Sequence, residues 1–403
     1  MVMNQSSVLN LSNMDDLINK GPLSGFQFIE IEGIGPAPFA GMMLSDMGAD
    51  VVVVERPDGK TDATTDFGLT DILKRGKRSI TIDLKCDAGR ELVLKLVESA
   101  NGLIEGMRPG VMERLGLGPE ICLERNPELV YGRVTGWGQD GPMAQRAAHD
   151  INYIALSGAL WYSGRSGEPP FAPPTLVGDI GGGALHLVVG LLAAVLNAET
   201  THCGQIVDAN VVDGSANMMN LILSLIASGQ GSFARGESLI DGPHWFDSYR
   251  CSDGRFITVG SLEAKFYKDL LTTLDLQQDP VFQEQYNSTL WPQQKKRLTE
   301  VFLSRTQAQW VEVFGDSDSC FAPVLDPRQA MAHSHNQVRG FYFERDGIIQ
   351  AAPSPRFSVT QKNNVGSISP RGADTRSILT ELGLSDMEIK NHLEADHCLQ
   401  SND

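Results

Sequence analysis

Patterned sequence begins with a short apolar run, Phe26 to Ile31, which predicts a strand. Ala40 to Met47 then places apolar residues at helical spacing. Asp50 to Glu55 reads DVVVVE, and four consecutive valines suit a parallel strand covered on both faces. Ser79 to Leu84, Gly102 to Glu105 and Leu129 to Val134 predict further strands, with an amphipathic helix over Ala88 to Ser99. Strands alternating with helices predict an α/β fold, a large Rossmann-like domain with an open, mainly parallel sheet.

Beyond it, the pattern predicts a helix starting near Asp150, a long apolar helix from Gly183 to Asn197, a strand at Gln205 to Asp208 and a helix from Asp213 to Ala227. Gly229 to Gly242 is rich in Gly and Ser and reads as a linker. FDSYRCSDGRFITVG, from Phe246, predicts a hairpin turning at Asp253-Gly254. Helices rich in Gln, Leu and Lys follow to about residue 316, which gives a smaller α+β domain. The expected divisions are an arm over 1–22, the large domain over 23–228, a linker over 229–245, the small domain over 246–335, and over 336–403 a return segment that completes the large domain.

Composition narrows the function classes. A length of 403 residues favours two domains. A net charge of −17 offers no general basic footprint for nucleic acid, so no such partner is expected. Six scattered cysteines without a CxxC fit free thiols in a reducing compartment. The N-terminal stretch lacks a basic segment followed by an apolar run, and CLQSND is not a peroxisomal address, so a cytoplasmic location is expected. The longest apolar stretch, Ala184 to Leu196, is too short to span a bilayer, so no membrane is expected.

Gly33-Ile34-Gly35-Pro36-Ala37-Pro38 follows a strand and opens a helix, like a dinucleotide fingerprint. Pro38 takes the third glycine position, and the two prolines remove amide donors, so a tight turn is the better reading. Lys74-Arg75-Gly76-Lys77-Arg78 is a conspicuous basic cluster; Arg56, Arg108 and Arg114 also follow strands, where ligands of open α/β sheets bind. Such residues suit a phosphate-bearing ligand, though a solvated basic turn gives the same composition. His149 stands at a helix start, where amides can stabilise an anion, but a lone histidine there is usually structural or a cap. Asp179, in GDIGGG, reads as an ordinary N-cap, except that the glycines would also let a ligand approach closely. Glu263 follows the ITVG strand as a candidate helix-start carboxylate. His333-Ser334-His335 lacks a carboxylate cluster, and no metal or redox cofactor is expected.

Taken together, GIGPAPFAGMMLSDMGADVVVVERP, LIEGMRPGVMERLGLGPE, VTGWGQDGPMAQRAAHDINYIALSG, PPTLVGDIGGG, QIVDANVVDGS and VGSLEAKFY resemble the class III CoA-transferase superfamily, and within it the 2-methylacyl-CoA racemases. The resemblance runs from about Pro22 to Phe357. It implies an interlocked homodimer with the active site at the interface. It also implies that His149 and Asp179 are the proton-transferring pair and that Glu263 of the partner subunit supports the histidine. Ile34, Arg56, Lys74, Arg75, Arg108, Arg114, Asp150 and Tyr153 are the implied contacts of a 2-methyl-branched acyl-CoA. The implied reaction is racemisation at the α-carbon through an enolate. Two alternatives stay open: a CoA-transferase in which Asp179 is the nucleophile, and a catalytically silent CoA-binding protein. Trp245-Phe246-Asp247 departs from the tyrosines common in the racemases, and the basic cluster matches the family only loosely.

Overall fold

The computed structural model describes residues 20–57, 67–360, 362 and 364–401. The expected arm therefore lies outside the described residues as far as residue 19. The chain forms two compact units. The first takes the described residues of Met1–Ser157, Pro173–Met218 and Phe343–Asp403, and the second takes Gly158–Ala172 and Met219–Tyr342. Gly158–Ala172 thus falls outside the first unit, although the pattern read 23–228 as one continuous large domain. Periodicity identifies elements but not the core each one joins.

The first unit is built on strands β1 (Gln27–Ile31), β2 (Asp50–Glu55), β3 (Arg78–Thr81), β4 (Gly102–Glu105), β5 (Val130–Arg133) and β6 (Gln205–Asp208), in the order β3-β2-β1-β4-β5-β6. Every pairing is parallel. Alternation along the strands serves two apolar layers. Ile29, Ile31, Val52 and Val54 face one, and Phe28 and Val51 face the other. The order reverses between β1 and β4, so the loops after these two strands frame the crevice where such sheets bind ligands.

Helix α1 (Pro36–Asp46) begins earlier than its periodicity predicts, because Pro36 and Pro38 lie in the first turn, where a missing N–H costs nothing. Helix α2 (Asp87–Val97) covers the first apolar layer. Helix α3 (Asp150–Ser157) follows His149 as expected. Helix α4 runs over Leu176–Thr201 and differs from expectation: the chain is already helical at Leu176, in a wide π-type form as far as Leu185, so Asp179 lies within the helix and does not cap it. At 26 residues α4 is long and apolar enough to cross a membrane by length and composition. Here Leu187, Leu191, Ala194 and Val195 pack into the second apolar layer. Helix α5 (Val211–Met218) follows β6, and a break at Met219 divides the single helix expected there.

The second unit carries β7 (Phe246–Arg250), β8 (Phe256–Gly260) and β9 (Phe321–Pro323) in one antiparallel sheet. Gly254 turns the hairpin with φ 80°, inside a loop longer than the two-residue turn expected. Trp245 is fully buried and makes edge contacts with His244, Tyr267, Tyr286 and Trp291. Trp245 thus belongs to the core of this unit.

Lys77 and Glu30 are buried together in the first unit, with Lys77 Nζ 2.5 Å from Glu30 Oε2 and donating also to Pro38 O. Burial pushes the Glu30 carboxyl up and the Lys77 amine down, and each partner opposes the shift of the other. Gly41 makes room for the pair: a Cβ there would lie 1.8 Å from Glu30 Oε2. Lys77→Met leaves a buried carboxylate alone, with an expected loss of about 3–5 kcal/mol in urea unfolding. The double change Lys77→Met with Glu30→Gln should recover part of that loss, since no uncompensated charge remains.

Candidate active site

Asp179 sits in the first turn of α4 with its carboxylate toward the loop after β1, where a Cβ on Gly35 would lie 3.5 Å from Asp179 Oδ2. Gly35 has φ 72°, so the backbone of this wall of the site favours glycine. The Asp179 N–H donates to Asp150 Oδ1 at 2.8 Å. Asp150 is itself buried, in the first turn of α3. His149 precedes it and is exposed; its N–H donates to Asn152 Oδ1, and its carbonyl accepts from the Asn152 N–H. Tyr153, one turn on, donates its hydroxyl to Ala148 O at 2.5 Å.

The electrostatics tie these groups together. Burial, helped by Asp150 and opposed by His149, pushes the Asp179 carboxyl from 3.8 up to about 6. Burial also raises the Tyr153 hydroxyl, with Asp179 adding to the shift and Arg108 opposing it. One end of the first unit thus gathers His149, Asp150, Tyr153, Asp179 and Arg108. Ile34 is 56 % exposed on the loop beside it. Arg56, Arg108 and Arg114 are exposed after β2 and β4.

The basic cluster is a correction. Arg75 is buried, with its guanidinium bonded to Asp46, Gln350 Oε1 and Ala351 O. Lys74 pairs with the buried Glu55 at 2.7 Å. Arg78 pairs with Asp50 and Glu381. These cations neutralise carboxylates on and around the strands, so Arg75 in particular presents no face to a ligand.

The glycines after Asp179 also differ from expectation. A Cβ on Gly182 would lie 2.4 Å from Ser215 Oγ, and one on Gly183 would lie 3.0 Å from Pro36 Cβ. They admit α5 and α1 against α4, not a ligand. The resemblance already set the Ile34 loop, and Gly35 with it, beside the ligand; Gly178 was missed, and its only signal was its place in a glycine-rich run.

Glu263 belongs to the second unit, where it is exposed and precedes the helix Ala264–Thr273 without a side-chain capping bond. That unit has its own cleft of about 920 Å³, whose lining includes Arg165, Asp247, Trp291, Lys295 and Cys320. Among the described residues, no group of three or more His, Cys, Asp or Glu is placed to hold a metal, His333 and His335 included.

The family model "CoA-transferase family III" matches residues 23–375. The chain belongs to CoA-transferase family III. It is 37% identical to human alpha-methylacyl-CoA racemase over 383 residues, covering 94% of this chain and 98% of that one. It is also 29% identical to acetyl-CoA:oxalate CoA-transferase of Acetobacter aceti, covering 82% of this chain and 87% of that one. A solved CaiB/BaiF family protein from Brucella suis superposes with a TM-score of 0.74 at 25% identity, covering 90% of this chain and all of that one. The chain is thus similar both to a racemase and to a CoA-transferase.

The raised Asp179 carboxyl gives a measurable sign. Between about pH 4 and 6 the folded chain holds a proton that the unfolded chain has lost, so stability from this group falls as pH rises through that window. Asp179→Asn should flatten that slope in denaturant titrations at pH 4 to 7, and the Asp179 carboxyl resonance should titrate near 6 in the unmodified protein.

Proposed function

We propose that this member of family III interconverts (2R)- and (2S)-2-methylacyl-CoA thioesters by moving the α-proton between His149 and Asp179 on opposite faces of the α-carbon. The observation that carries this reading is the Asp179 carboxyl, raised to about 6 within electrostatic reach of an imidazole. A two-base racemase needs one group protonated while the other is free, in either order. Burial and Asp150 raise the Asp179 carboxyl toward neutrality, so that it can both give and take a proton there. The intermediate is an enolate. The first-turn amides of α3, at Asp150 and Ile151, have no acceptor in the preceding turn of their own helix and suit its oxyanion.

In this reading Ile34, Arg56, Arg108, Arg114 and Tyr153 contact the CoA portion, whereas Lys74 and Arg75 have structural duties. Glu263 of a second copy supports His149, which makes an interlocked homodimer the working unit. Uncovered apolar positions favour such an assembly: Val189 and Leu196 on α4 are 68% and 70% exposed, and the helix Asn220–Ala227 buries none of its residues. The α-proton chemistry requires neither metal nor redox group.

The similarity to an oxalate CoA-transferase keeps a second reading, in which Asp179 attacks the thioester carbonyl to give an acyl anhydride and CoA thiolate, and the thiolate then attacks the Asp179 carbonyl, releasing the free acid and leaving CoA as a thioester on Asp179. It gives His149 no role. Mass spectrometry in deuterated water separates the two. The expected result is deuterium at the α-carbon of 2-methyldecanoyl-CoA, with loss of at least about 10²-fold in rate in both His149→Ala and Asp179→Asn. Transfer of CoA to a free acid through a trappable Asp179 thioester, without exchange, would overturn the racemase reading.

A further inference from the structure

Asp150 and Asp179 are brought into contact across two helices, and the structure makes deliberate room for the contact. Asp150 Oδ1 accepts the Asp179 N–H at 2.8 Å, and the Asp150 side chain is buried. Between them lies Gly178, where a Cβ would sit 2.3 Å from Asp150 Oδ1 and 2.9 Å from Ile154 Cγ2. Any side chain at 178 would push the carboxylate off its hydrogen bond. The start of α4 is wide as well, with Ile180 N donating to Thr175 O five residues back, so the helix ladder does not itself fix the Asp179 amide in the ordinary way.

We infer that Asp150 is the positioning residue of this site: its carboxylate clamps the main chain at Asp179 and stands as a second acidic group beside the Asp179 side chain, and Gly178 is there to admit it. The role rests on the racemase reading only for its consequence in turnover; the clamp and the charge are properties of the chain alone. Three features agree. The acceptor is a carboxylate where a neutral side chain would serve for a hydrogen bond. Its negative charge lies in the first turn of α3, where the helix dipole favours it. The charged and titratable groups facing Asp179 are Asp150 and His149, with Tyr153 and Arg108 linked to it through the tyrosine, and Asp150 alone adds to burial in holding the proton on Asp179.

Two substitutions separate clamp from charge. Asn at 150 can still accept the Asp179 N–H through its amide oxygen, but carries no charge. Asp150→Asn is therefore expected to keep the fold and to move the Asp179 titration, followed by carboxyl NMR, downward by at least half a pH unit. The acid limb of kcat/KM should move the same way in the direction that needs ionised Asp179. Asp150→Ala loses both effects and should lower kcat at least tenfold below Asp150→Asn at every pH, with Gly178→Ala resembling it. An Asp179 titration unmoved or raised in Asp150→Asn would overturn the inference, as would equal kcat in the Asn and Ala variants. Should the unmodified protein exchange no α-proton, the racemase reading fails while the NMR titration still decides the role of the Asp150 charge.

Discussion

Much of this site depends on how closely the wide beginning of α4 can approach its neighbours. Gly178, Gly182 and Gly183 remove the side chains that would hold α3, α5 and α1 away. The first lets a carboxylate reach the main chain, Gly182 lets α5 pack close to the backbone of α4, and Gly183 admits the Pro36 and Val211 side chains. Asp179 is carried on this stretch, so its surroundings follow from the packing. It is partly withdrawn from water and beside a second carboxylate, which raise its proton affinity, and an imidazole within reach opposes that rise. A looser junction would solvate Asp179 and return it to an ordinary carboxylate.

The same unit handles its other charges in the opposite manner. Glu30, Glu55 and Asp46 are buried, and each meets a cation from the segment Lys74 to Lys77. Charges withdrawn from water are tolerated when paired and further hydrogen-bonded. Arg75, for example, bonds to a side-chain amide and a carbonyl besides its carboxylate. Pairing gives these groups a structural part, whereas the two carboxylates at the site have no such cation between them. That contrast distinguishes a buried acid that supports the sheet from one suited to exchanging a proton.

The sheet was legible from sequence because its signal is local. DVVVVE is β2 to the residue, and β4 and QIVD also fall where the pattern placed them. The helix around Asp179 was not legible, because a run of glycines lowers helix propensity and tertiary packing overrode it. The basic cluster misled for a related reason: composition records four cations in five residues but not the carboxylates that meet them from β1, β2 and α1. His149 and Asp179 carried little weight separately, as a helix-start histidine and an apparent cap. Their pairing became physical only when the fold set both helix starts at one end of the sheet.

The two proposed bases stand in unequal surroundings, and the inequality constrains any account of turnover. Asp179 is fixed through its own main chain and partly desolvated. His149 is exposed, and its ring has no hydrogen-bond partner among the described residues. A base that must present one nitrogen to a carbon acid works best when its other nitrogen is held, because that bond sets both tautomer and orientation. On the racemase reading, then, one subunit supplies a prepared acid and an unprepared base. A carboxylate from elsewhere, the part assigned to Glu263 of a second copy, would complete the histidine. Assembly would then affect the His149 half of the reaction far more than the Asp179 half, since burial and Asp150 already raise the Asp179 carboxyl within its own unit.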